Sequence, residues 1–150
     1  MTEGRGDGRL RLAIDGEPWL LSVARHALVR WLETHRWHRD DVDDLVFAIS
    51  EAVSNSIEHA YRGAETGRVS IELELRHGHD GPAGPDEQRP VQVRAVVTDC
   101  GSWRPAGTDR RRGNGVPLMR AMTDTVEVTT DDAGTRVAMW SRPVVPLPAA

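Results

Sequence analysis

Four polar residues on one predicted helix, Glu51, Asn55, Glu58 and Arg62, fall within a few tens of degrees of one another at about 100° per residue. A carboxylate and a carboxamide one turn apart therefore look out together. The carboxylate is a proton acceptor, and the carboxamide offers a hard cation an oxygen without adding negative charge. Helical spacing alone fits a solvated face equally well. Two glycine-bearing stretches further along are the other places where ligand chemistry is available. Asp99 and Gly101 stand where a strand runs into a loop, a pattern shared by ordinary turns and by ligand sites. Gly113 and Gly115 precede a short helix, so their backbone is free to curl toward an anion held at the open N–H groups of the helix head. Arg110, Arg111 and Arg112, just upstream, suit phosphates or an acidic partner, and equally a solvated charge run.

The elements that must hold these residues follow from periodicity. RLRLAI, from Arg9 to Ile14, alternates as a strand with one buried face. Pro18 suits the first turn of a helix whose apolar stripe is Trp19, Leu20, Val23, Ala24, Ala27, Leu28, Trp31 and Leu32, ending by His35. A second helix is expected from Asp40 or Asp41, with acidic residues at its positive end, to about Tyr61, where Gly63 stops it. Its Val42, Leu45, Ile49, Val53, Ser56 and Ala60 form the stripe that faces the sheet. Strands are expected at Arg68 to Arg76 and Val91 to Asp99, a short helix at Val116 to Met122, and two last strands at Thr125 to Thr129 and Thr135 to Trp140. The order β-α-α-β-β-α-β-β predicts an α/β (α+β) two-layer sandwich with its helices on one face of a mixed, largely antiparallel sheet. Residues 9–142 are read as one domain, and 1–8 and 143–150 as flexible tails.

Composition narrows the class of function. The chain has 150 residues and a net charge of −4, with arginines scattered among carboxylates, so no basic stripe points to nucleic acid. A single cysteine, Cys100, leaves no internal disulfide framework and no Cys-rich zinc site, which suits a reducing compartment. His77, His79 and Asp80 lie in a polar loop without further ligands nearby in sequence. No apolar run is long enough to span a bilayer and the start lacks a signal-peptide core, so the expected location is cytoplasmic.

The string ISEAVSNSIEHAYRG resembles the N-box of the GHKL, or histidine kinase-like, ATPase superfamily, in the EAVxNxxxHxY form of the anti-sigma-factor serine/threonine kinases. The matching residues are Glu51, Ala52, Val53, Asn55, His59, Ala60 and Tyr61. The resemblance implies a Bergerat-type ATP-binding fold, Asn55 as the ligand of Mg²⁺ on the ATP phosphates, and Glu51 as the general base. VTDCGSW resembles the G1 box, which makes Asp99 the acceptor of the adenine amino group and lets the backbone at Gly101 approach the base. Trp103 stands where that box usually has its second glycine. The stretch after Arg110 resembles the G2 box, with Gly113 and Gly115 at the phosphates, and GTRVAMW resembles the closing strand, with Thr135 near adenine.

By this resemblance the protein is expected to use ATP and Mg²⁺ to phosphorylate a Ser or Thr on an anti-anti-sigma (STAS) partner and to sequester a sigma factor. A homodimer is compatible with it, and neither nucleic acid nor membrane is an expected direct partner. Two other readings stay open: a nucleotide-binding interaction module with little or no kinase activity, or an ATPase domain cut from a larger sensor or phosphatase protein. The absence of GxxxxGK[ST], HRD and DFG strings argues against P-loop and eukaryotic-type kinase sites.

Overall fold

Alternation along the strands sorts their residues into two sets. One set is apolar: Leu10, Leu12 and Ile14, then Val69, Ile71 and Leu73, then Val93, Ala95 and Val97, then Val137 and Met139 are all buried. Strand register puts them on one face, since Leu10 pairs with Leu73, Leu73 with Ala95, and Ala95 with Met139. A computed structural model describes residues 2–6, 8–60, 67–77, 89–100 and 115–149. Its elements are β1 (Thr2–Gly6), β2 (Arg9–Asp15), α1 (Leu20–Thr34), α2 (Arg39–Ala60), β3 (Arg68–His77), β4 (Val91–Asp99), α3 (Gly115–Met122), β5 (Thr125–Asp131) and β6 (Gly134–Trp140). They make a single six-stranded sheet in the order β1-β2-β3-β4-β6-β5. Every described pairing is antiparallel, so the mixed character expected from the sequence is not seen there.

All three helices cover the apolar face. Leu28, Trp31 and Leu32 of α1, Leu45, Ile49 and Val53 of α2, and Met119 of α3 join the same hydrophobic cluster as the strand residues, which makes the two-layer sandwich. Helix α2 lies across the middle, packed against β3, β4 and β6 and flanked by α1 and α3. Its stripe is as the periodicity requires, down to Ser56, which is buried. Its start differs from the expected one by a residue or two. The N–H of Val42 bonds the carbonyl of His38, so Asp40 and Asp41 sit inside the first turn, where their charge meets the positive end of the helix dipole.

Helix α1 departs from its expected stripe at one end. Trp19 is 65% exposed and Val23 37%. Trp19 precedes the helix, in a tight turn of bonds from Leu20, Leu21 and Ser22 back to Glu17, Pro18 and Trp19, and this turn carries its ring away from the sheet. Just past the helix end at Thr34, Arg36 is a non-glycine residue at φ 61°, and the Trp37 N–H bonds the Leu32 carbonyl. That is a left-handed C-terminal cap closed by a buried tryptophan.

Both chain ends extend the pairing beyond the domain limits expected from the sequence. Residues 2–6 form an edge strand on β2, with Gly6 opposite Arg9 and Gly8 at φ 71° in the tight connection. A glycine-rich strand carries no alternating side chains to announce it, although Asp-Gly at 7–8 is a turn signal. At the other end Val144 is buried and bridges to Val91, and the Leu147 N–H bonds the Arg36 carbonyl at the α1 cap. The tail therefore straps the base of α1 to β4. Arg142, just before it, donates to Asp44 of α2 and to the Ala121 carbonyl at the end of α3, tying the second helix to the third.

Candidate functional site

Two close approaches bring residues singled out in the sequence together. The first lies between α2 and α3. Helix α3 is seated by Met119, fully buried, and carries no acidic side chain in its first turn. Its first residue is Gly115. A Cβ built there would lie 2.8 Å from Nδ2 and 3.5 Å from Oδ1 of Asn55, so the carboxamide rests directly against the head of α3. Asn55 and Glu51, one turn earlier on α2, are both partly buried, while Glu58 is exposed. The polar side of α2 is thus not an open solvated face: its middle lies beneath the start of another helix.

The second approach is at the end of β4. Asp99 is 2% exposed, its Oδ1 accepting the Thr135 N–H at 3.3 Å, and Thr135, its cross-strand partner on β6, is equally buried. The Thr135 hydroxyl lies 3.4 Å from that of Thr130. Gly134, at φ 139°, comes so near the end of β4 that a Cβ on it would lie 2.0 Å from the Asp99 carbonyl oxygen. Only glycine tolerates both that backbone and that approach.

The two approaches bracket one segment. Asp99 and Cys100 lead into residues 101–114, and Gly115 leads out of them. Gly101, Trp103, Gly113 and the arginines Arg110, Arg111 and Arg112 lie in that segment, outside the described residues, as do Tyr61 and Arg62. Gly134 and Thr130 were not singled out by their types. The signal for them was the run Asp131, Asp132, Ala133, Gly134, with aspartate at the first and glycine at the fourth position of a turn.

The donor set suits a nucleotide carrying a hard cation. The first N–H groups of a helix have no partner within it, so the head of α3, with no acidic side chain in its first turn, favours phosphate oxygens, and an uncharged carboxamide oxygen beside it suits Mg²⁺. A carboxylate has acceptor sites for several hydrogen bonds, so the Thr135 N–H does not exhaust Asp99.

Among the described residues, three helices on one face of an antiparallel sheet make a two-layer α/β sandwich with a carboxamide at a helix head and a buried aspartate at a strand end. The chain belongs to the histidine kinase-like ATPase domain family, whose model matches residues 14–140. It is 27% identical over 133 residues to the serine-protein kinase RsbW of Bacillus velezensis, covering 87% of this chain and 82% of that protein. It is 28% identical over 138 residues to the serine-protein kinase RsbW of Listeria monocytogenes, covering 87% of this chain and 85% of that one. Among solved structures, the RsbU and RsbW domains of a Mycobacterium tuberculosis protein share the fold, with a TM-score of 0.66 at 24% identity. That match covers 92% of this chain and 32% of the longer one. No helix of the described residues is long and apolar enough to cross a membrane.

Proposed function

We propose that this chain is a cytoplasmic protein serine/threonine kinase that binds Mg·ATP, transfers the γ-phosphoryl group to a hydroxyl of an anti-anti-sigma partner, and sequesters a sigma factor. Membership of an ATPase-domain family and the serine-kinase names of its relatives support this reading. The observation that carries it is the Asn55 carboxamide resting against the head of α3. There Asn55 holds the cation through its amide oxygen, and the helix head with Gly115, together with Gly113, takes the phosphates. Asp99 accepts the adenine amino group beside Thr135, with Gly101 close to the base. Glu51, one turn from Asn55, receives the proton of the attacking hydroxyl. Mg²⁺ would supply charge neutralisation at the phosphates, and beyond the proton transfer to Glu51 the catalysis is mostly positioning.

A second reading keeps nucleotide binding without transfer; Trp103, in place of the usual second glycine, favours it. The chain incubated with γ-phosphate-labelled ATP and a purified anti-anti-sigma domain separates the two. Transfer of label to a Ser or Thr of that domain, reduced at least about a hundredfold in Glu51→Gln, supports the kinase. Nucleotide binding with no label on the domain supports the second reading.

A further inference from the structure

The turn joining β5 to β6 stands at the Asp99 end of the sheet. Asp131 and Gly134 are cross-strand partners, with Asp132 and Ala133 at the tip. The Asp131 carboxylate accepts two backbone N–H groups through Oδ1, from Ala133 at 2.8 Å and from Gly134 at 3.2 Å. A short acceptor side chain at the first position of a turn fixes its backbone in this way. Gly134, so held, lies where an added Cβ would run into the carbonyl of Asp99. The next residue, Thr135, gives its N–H to the Asp99 carboxylate, and Thr130, its cross-strand partner, lies against its hydroxyl. An exposed carboxylate is thereby connected, through two backbone N–H groups and one glycine, to the direction in which a buried one points.

We propose that Asp131 is a positioning residue for base recognition: by fixing the β5–β6 turn it sets the aim of Asp99 and hence the preference for adenine over guanine, without touching the nucleotide. This rests on the reading of Asp99 as the adenine acceptor. Hydrogen bonds weaken steeply with angle, so a small displacement of Gly134 and Thr135 costs the contact to the base. The phosphate end, at Asn55 and the head of α3, belongs to other elements. The effect of Asp131 therefore falls on base discrimination and leaves metal dependence alone.

The test is the ratio of dissociation constants for GTP and ATP, both with Mg²⁺, for the full chain and for Asp131→Ala, Asp131→Asn and Asp99→Ala, the last removing the acceptor altogether. Asp131→Ala is expected to lower the preference for ATP about fivefold or more, through weaker ATP binding. Asp131→Asn is expected to restore it to within about twofold, because its amide oxygen accepts the same two N–H groups. A merely structural role would lower the unfolding temperature and leave the ratio unchanged. If Asp99→Ala abolishes the preference while Asp131→Ala keeps it, or while Asp131→Asn fails to restore it, the positioning role is overturned and the adenine reading stands. If Asp99→Ala keeps the full preference, the adenine reading itself falls, and this proposal with it.

Discussion

The carboxamide of Asn55 occupies the space that a side chain at position 115 would need: a Cβ on Gly115 would lie 2.8 Å from its Nδ2. The neighbour that must give way is the tip of a flexible side chain rather than backbone. Gly115→Ala should therefore fold well, since the clash falls on a side chain that can turn away. The displaced carboxamide should lower Mg·ATP affinity by about tenfold. Chemical denaturation and nucleotide titration of the same variant check both halves.

Gly134→Ala should behave in the opposite way. Its Cβ would meet backbone, 2.0 Å from the Asp99 carbonyl oxygen, at a φ of 139° that L-residues rarely adopt. A loss of about 2 kcal/mol or more of stability is expected, read from the urea midpoint. One glycine spares a side chain at the site and the other spares the backbone, so two alanine substitutions that look alike in the sequence differ in what they damage.

Met119 is the anchor of α3 in the core, fully buried among residues from the sheet and α2. Met119→Ala should cost about 2–5 kcal/mol of unfolding free energy. Because the head of this short helix rests on Asn55, nucleotide affinity should weaken together with stability, as calorimetry on one preparation would show.

On the uncovered face of the sheet Glu74 lies between Arg9, at 2.7 Å, and Arg76, at 2.8 Å. The Arg9 hydrogen bond, opposed by burial and helped by the charges of Arg76 and Arg9, holds its carboxyl below the ordinary value of 4.5. A carboxylate with a lowered folded-state pKa contributes stability that is full above its unfolded pKa. That contribution is lost as pH falls through the folded one. The unfolding temperature should therefore fall as pH drops below about 4.5, and Glu74→Gln should show a shallower fall over that acid range. Equal slopes in the two proteins would remove Glu74 from the acid response.

Much of this was legible in the residues. Alternation gave β2, β3, β4 and β6 because each has one buried face, and the three-and-four spacing of Val42, Leu45, Ile49 and Val53 gave α2 for the same reason. What periodicity misses is structure with no repeating side-chain pattern. The glycine-rich β1 has none to read, and the strap through Val144 and Leu147 is held by a single buried valine, one bridge and one bond to a helix cap. Trp19 misled because hydrophobicity says nothing about a ring placed just before a helix starts. At the site the chemical types of Asn55, Gly115, Asp99 and Thr135 were readable, but their pairing was not. That pairing depends on how α3 and β6 return to α2 and β4, which only the assembled sheet determines.

The most direct measurement is ATP affinity with and without Mg²⁺ for the wild type and for Asn55→Ala. The wild type should bind ATP more tightly when the metal is present, and Asn55→Ala should lose that gain while keeping its metal-free affinity. A variant that retains the full Mg²⁺ gain would show that the carboxamide at the head of α3 does not hold the cation.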